Sequence, residues 1–343
     1  MHRRHLCAAL MALTATPVLG ASGSALDGLL DRYAAEGIKA GALIVARRRQ
    51  VLVRRGFGVA DPSRRVEVTP DTSFRIGSIT KQFTAAAILK LDEAGKLGLH
   101  DPLTEHLKGA PAAWRQITLW HLLTHTSGLP DYTRLQGVDL ASLSDLSVSD
   151  LIALIKDRPV EFAPGAQYVY DNTGYVLLGQ VVADVSGRPF SAFMREVLLS
   201  PAGITRTGFV TDFAPSDRAI GPTRHGPAPW ASNIRHSGAG GLYSSVDDLL
   251  KWDRALYGGK LISRKSVAMM VTDNGHQYGL GIGVQALDGH REWEHNGHVA
   301  GYSAWLARYP DDDLTVVLLT SADSAPVEPM ARDIARLYLT KVS

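Results

Sequence analysis

The sequence predicts an α/β protein with α and β layers. An antiparallel sheet is built from both chain ends and flanked by helices, and a mostly helical domain is inserted between them. Three observations predict this. Strand-like runs occupy residues 41–59 and return only after Gly240. Residues 100–240 hold short helical stretches between Pro- and Gly-rich turns, with few strand patterns. The 343-residue length, with 45% apolar and 20% charged residues, suits a globular chain of about two domains and excludes a disordered or coiled-coil one. The expected units are a sheet domain of residues 22–98 and 241–343, a helical domain of residues 99–240, and an N-terminal segment, 1–21.

That first segment has the three parts of a secretory signal peptide. A basic start (His2, Arg3, Arg4, His5) leads to an apolar run (Leu6 to Leu13), then Pro17 and the small residues Gly20, Ala21 and Ser22. Cleavage is expected near Gly20 or Ala21, which predicts a periplasmic or secreted protein. It removes Arg3, Arg4 and the only cysteine, Cys7, and leaves 34 basic and 34 acidic residues. The mature chain then has no thiol nucleophile, Cys-ligated metal or disulfide. Its balanced charge argues against nucleic acid as a partner. No later run approaches 18 apolar residues, so no stable membrane span is expected.

The remaining elements follow in order. Leu26, Leu29, Leu30 and Tyr33 recur at helical spacing within residues 25–36, and Gly37 stops that helix. Residues 41–47 (GALIVAR) and 51–59 (VLVRRGFGV) read as a hairpin around a basic turn. Residues 78–96 are the strongest helix, with Ser78 as its N-cap. Short helices are expected at 117–124, 149–156, 173–186 and 190–199. Strands are expected at 278–286, 291–296, 301–309 and 314–320, with Pro310 to Asp313 turning the last pair, and residues 327–340 close the chain as a helix.

Three short motifs carry candidate chemistry. Ser78-Ile79-Thr80-Lys81 puts a serine at a helix start and a lysine three residues on, on the same face. A desolvated lysine there could lower a neighbour's pKa or take its proton. Alone, Ser-x-x-Lys is common, and its ordinary reading is an N-cap with a solvated lysine. Tyr170-Asp171-Asn172 precedes an amphipathic helix. A tyrosine can shuttle a proton where a cation lowers its pKa, and an asparagine amide can orient a substrate amide. In isolation these residues read as core and cap. His295-Asn296-Gly297 lies at a strand end, where a glycine admits a close backbone and a histidine supplies a hydrogen bond or partial charge.

Together, in this order, the motifs resemble those of the serine β-lactamase and penicillin-binding protein superfamily. The likeness is to its class C β-lactamase and D-alanyl-D-alanine carboxypeptidase branch, which includes related esterases. It extends through Phe74 to Thr84, Leu122-Leu123-Thr124-His125-Thr126-Ser127-Gly128-Leu129-Pro130, Phe162 to Gly165, Gly238 to Leu242, Tyr278-Gly279-Leu280-Gly281 and Gly301-Tyr302-Ser303. The resemblance implies that Ser78 is the acylated nucleophile, that Lys81 shares its proton, and that Tyr170 acts as base during attack and as acid toward the leaving group. It implies that Asn172 holds the substrate amide, and that the backbone N–H groups of Ser78 and His298, which follows Gly297, form the oxyanion hole. No metal or organic cofactor is implied, because water resolves the acyl-enzyme.

His295 stands where class C β-lactamases carry a lysine, and Asn296 replaces the neighbouring hydroxyl residue. A neutral histidine is a weaker partner for a substrate carboxylate than a permanent cation. The sequence therefore leans toward a D-amino-acid peptidase or carboxypeptidase acting on a small molecule or peptide: a D-alanyl peptide, an ester or a β-lactam. A β-lactamase, a carboxylesterase and a penicillin-recognising sensor that is acylated without turnover stay open. His121 and His125, four apart, have metal-ligand spacing but no third ligand, so no metal is expected. The mature chain has no Gly-x-Ser-x-Gly elbow. Specificity is expected to lie in cleft loops within residues 130–145 and 212–236.

Overall fold

The computed structural model describes residues 19–136, 147–210, 216–223, 225–228, 238–322 and 325–340. Residues 1–18 of the expected signal segment, and most of the two expected cleft loops, lie outside the described residues.

Alternating side chains explain the central sheet. In β1 (Gly41–Arg47), Leu43 and Val45 face one core while Ala42, Ile44 and Ala46 face another, so the strand is buried on both sides. It pairs antiparallel with β2 (Gln50–Phe57) through a turn in which Arg48 takes φ +54°. From the other chain end come β3 (Gly283–Leu287), β4 (His290–Val299), β5 (Tyr302–Tyr309) and β6 (Leu314–Thr320). The strand order is β3-β4-β5-β6-β1-β2, antiparallel throughout, with Gly41 opposite Thr320 where the two ends meet.

Helices cover both faces. On one, α1 (Leu19–Ala35) and a C-terminal helix (Val327–Arg336) bury Leu26, Leu30, Met330 and Ile334 against Leu43, Trp305 and Leu318. On the other lie α2 (Thr80–Glu93) and the helices that pack with it, among them α3 (Thr173–Ser186) and α4 (Val246–Tyr257). Phe83 of α2 stacks on Trp252 of α4 with ring centroids 3.7 Å apart. Among the described residues, no helix is long and apolar enough to cross a membrane.

Several local expectations need correction. Ser78 is not an N-cap: it lies inside a single 3₁₀ turn, Gly77–Ile79, that runs into α2, and no side chain caps either start. Residues 278–282 are not strand; Tyr278 bridges Gly283 across a loop in which Gly281 takes φ +71°. The strand β4 runs three residues beyond Asn296, so Gly297 and His298 lie within it, opposite Ala304 and Ser303. The stretch at 190–199 is one α turn, Phe190–Phe193, followed by π-helix over Met194–Leu199.

Candidate active site

Three elements meet around Ser78. A small sheet sets the entry: Phe74–Arg75 pairs with Leu242–Ser244, and Ile76 N–H donates to Leu242 O at 3.0 Å. The chain then turns through Ser78 into α2. Thr80 fixes that turn, since its hydroxyl donates to Gly77 O (2.7 Å) and accepts from Leu242 N–H (3.2 Å). The strand β4 presses against the same turn. A methyl group on Gly297 would lie 1.9 Å from Ile76 O and 3.4 Å from Ser78 N, and one on Gly77 would lie 2.8 Å from His298 N. Only glycine admits this approach. It places the peptide nitrogens of Ser78 and His298 at one strand–turn contact.

Lys81 is completely buried, while Ser78 is partly exposed. Its ammonium nitrogen lies 3.2 Å from Ser78 Oγ, 2.9 Å from Asn172 Oδ1 and 3.0 Å from the Ala239 carbonyl oxygen. Burial pulls the lysine down to about 7, and the negative charges of Asp131 and Asp171 only partly restore it. Donor counting then orients the neutral amine. Asn172 presents its oxygen, because its Nδ2 donates to Asp131 Oδ2 (3.3 Å). Asn172 Oδ1 and Ala239 O can only accept, so they take the amine's two N–H bonds. The lone pair is left facing the Ser78 hydroxyl.

The Tyr170 phenol lies near enough to Ser78 to interact with its side chain, and Lys81 Nζ lies 4.7 Å from the phenol's ring centroid. The expectation that a cation would lower this phenol's pKa is not met. Its desolvated surroundings push it well above the ordinary tyrosine range, with Tyr168, Asp131 and Asp171 adding in the same direction. The phenol therefore stays protonated near neutrality.

Asn172 occupies the N-cap position of α3 but does not cap it with its side chain. Asp171 Oδ1 instead accepts from Gly174 N–H at 2.5 Å. The asparagine amide is free of that duty and bridges Lys81 and Asp131. His295 is buried. Its Nδ1–H donates to Asn296 O (2.6 Å), and its Nε2 accepts from the Tyr278 hydroxyl (3.0 Å). Burial, with the nearby Lys81 charge, drops its pKa to about 3, so the ring is a neutral group at physiological pH.

Asp131, Asp171, His125 and Tyr278 were not singled out as site residues from the sequence. Three of them nevertheless lie in recognisable motifs: His125 in 122–130, Tyr278 in 278–281 and Asp171 between Tyr170 and Asn172. His121 and His125 do not act as a ligand pair: the Nδ1 of each accepts a different backbone N–H, from Thr118 and Asp171 respectively (both 3.2 Å). Asp101, Glu105 and His106 bring their side-chain heteroatoms within 4.8 Å of one another, but Asp101 Oδ2 already takes His106 Nε2 (2.7 Å) and Gly98 N–H (2.6 Å).

Residues 26–340 match the Beta-lactamase family model. The chain belongs to the beta-lactamase family. It is 31% identical over 297 residues to the putative penicillin-binding protein PbpX of Bacillus subtilis, covering 85% of this chain and 73% of that one. It is 28% identical to the D-aminopeptidase of Gluconobacter oxydans, over 91% of this chain and 61% of that protein. Among solved structures, the octameric penicillin-binding protein homologue from Pyrococcus abyssi superposes with a TM-score of 0.79 at 28% identity, covering 92% and 77% of the two chains. Membership makes this protein a serine hydrolase of the beta-lactamase-like family.

Proposed function

We propose that the protein is an exported D-amino-acid peptidase or carboxypeptidase-like enzyme that cleaves an amide or ester bond through an acyl-enzyme on Ser78. One observation carries the reading: a buried lysine, pulled to about 7, whose one hydrogen-bond contact among the described residues able to donate to its lone pair is the Ser78 hydroxyl.

Ser78 Oγ attacks the substrate carbonyl carbon as its proton passes to Lys81 Nζ. The carbonyl oxygen takes the negative charge between the peptide N–H groups of Ser78 and His298, an arrangement worth about 3 kcal/mol per donor. Collapse of the tetrahedral adduct breaks the bond to the leaving amine or alkoxide. Tyr170 passes the leaving group a proton and is reprotonated from Lys81, so it serves as a relay and acid, and the role of base falls to Lys81. Water then repeats the sequence on the acyl ester and frees Ser78. Asn172 holds Lys81, and with it the substrate amide.

The neutral His295 favours substrates without a carboxylate at that end. This supports an amino-terminal peptidase over a carboxypeptidase or an efficient β-lactamase, and the D-aminopeptidase relative agrees with it.

The test is intact-protein mass spectrometry of the chain mixed in turn with benzylpenicillin, p-nitrophenyl acetate and D-alanine p-nitroanilide, beside Ser78→Ala. The expected result is an acyl adduct on the wild-type chain, none on the variant, and turnover of the anilide. Ester turnover without anilide cleavage moves the assignment to an esterase. A penicilloyl adduct that persists, with no turnover of either substrate, moves it to a sensor. No adduct with any reagent overturns it.

A further inference from the structure

We propose that His125 is a positioning residue for Tyr170, gripping the backbone N–H groups of the two residues that flank it so that the phenol meets Ser78. The inference rests on the acyl-enzyme reading above.

The grip has two jaws. The His125 carbonyl oxygen accepts from Val169 N–H at 3.0 Å, and its ring Nδ1 accepts from Asp171 N–H at 3.2 Å. Residue 170 is the one between them. The ring also packs on the held phenol, with centroids 4.4 Å apart, and lies 5.1 Å from the Tyr175 ring and 4.9 Å from the Tyr278 ring. Backbone and side chain of one residue thus fix the backbone and the ring of another.

Two costs accompany the arrangement. His125 takes φ +58°, a left-handed conformation unusual for a residue with a Cβ. Because Nδ1 accepts, the neutral ring carries its proton on Nε2, and that nitrogen is buried with no hydrogen-bond partner among the described residues. Strain and an unmatched polar atom in one residue are features that persist where the surrounding structure needs that residue's geometry. A residue serving packing alone would need neither the left-handed turn nor an acceptor aimed at Asp171 N–H.

The test uses the full chain and the rate of Ser78 acylation by D-alanine methyl ester, whose methoxide leaving group, unlike p-nitrophenoxide, cannot depart without the proton that Tyr170 supplies. His125→Leu, which keeps bulk and removes the acceptor, is expected to slow acylation at least about tenfold, with KM changed less than about threefold. His125→Asn keeps a short acceptor and tolerates positive φ, so it is expected to recover to within about threefold of wild type. In a Tyr170→Phe background, His125→Leu is expected to add less than about twofold, because the two residues act through one phenol. Equal losses for leucine and asparagine, or losses that multiply in the double variant, would overturn the proposal. If the leucine variant does not fold, His125→Gln replaces it: its amide reaches toward the Nε2 position, so the same loss is expected. A wild-type chain that takes no label at Ser78 overturns the acyl-enzyme reading and this inference with it. A labelled wild type with unaffected His125 variants overturns this inference alone.

Discussion

Two buried charged centres lie on opposite faces of the sheet, and they solve the same problem differently. On the face covered by the C-terminal helix, the completely buried Glu292 carboxylate meets Arg332 in three bonds, Nε to Oε2 at 3.1 Å and to Oε1 at 3.4 Å and Nη2 to Oε2 at 2.7 Å, and accepts from the Tyr309 hydroxyl at 2.7 Å. On the other face, the equally buried Lys81 has a hydroxyl, an amide oxygen and a carbonyl oxygen as its hydrogen-bond partners, and no carboxylate among them. The first centre answers a charge with a charge. The second supplies enough polarity to hold the amine but too little to keep it charged. Under-compensation of a buried group marks chemistry; full compensation marks architecture.

Replacing each cation with methionine breaks the comparison most sharply. Lys81→Met is expected to slow Ser78 acylation by about 10²–10⁴, the span of a lost general base. Its thermal midpoint is expected to equal or exceed wild type, because a costly buried amine has gone even though two acceptors lose a partner. Arg332→Met is expected to do the reverse. It strands the Glu292 carboxylate and costs about 3–5 kcal/mol in urea denaturation, with acylation per folded molecule unchanged. Loss of activity and loss of stability in the same variant would show that the two centres do not divide their roles as described.

A pH titration sharpens it further. Acylation is expected to rise with pH through about 7 as Lys81 gives up its proton. The folded chain holds that proton more weakly than the unfolded chain, whose lysine titrates near 10.5. The same group therefore adds stability as pH rises from about 7 to about 10.5. A rate profile that is flat between pH 6 and 8 would remove Lys81 from the role of base.

How much of this was legible in the sequence follows from how far each signal reaches along the chain. The alternation of Leu43 and Val45 with Ala42 and Ile44 is local, and so is the apolar run 314–320; both strands stand where their periods put them. The spacing of Ser78 and Lys81 is also local, and one helical turn brings them within 3.2 Å. Misplacements arise where tertiary contact overrides local preference. Ser78 has a capping residue's chemistry, yet Thr80 and Leu242 draw its turn into 3₁₀ geometry. Tyr278 follows a strand-like pattern, yet the chain at Gly281 passes so close to the Lys81 carbonyl that a methyl group there would lie 2.6 Å from it. Asp131, which pins the Asn172 amide and opposes the fall in the Lys81 pKa, sits in a segment with no motif of its own. Its role comes from folding residues 131 and 172 together, which no window of sequence displays.

The smallest expected effect concerns Tyr278. Its hydroxyl donates to His295 Nε2, while Nδ1–H of the same ring is held by Asn296 O. Tyr278→Phe leaves the ring in place and removes one donor, so a buried imidazole nitrogen loses its partner at a cost of about 1 kcal/mol. The freed Nε2 can then accept from a substrate donor, or the ring can turn to present its N–H. A substrate group near His295 would register that change in binding. The expected result is a KM shift of about two- to fivefold for the D-amino-acid anilide, with kcat held within about twofold, because neither Lys81 nor Tyr170 loses a bond. A fall in kcat with KM unchanged would instead place His295 among the groups that act on the reacting atoms. The neutral ring would then be stabilising the transition state, and the second centre would extend from Lys81 across the cleft to β4.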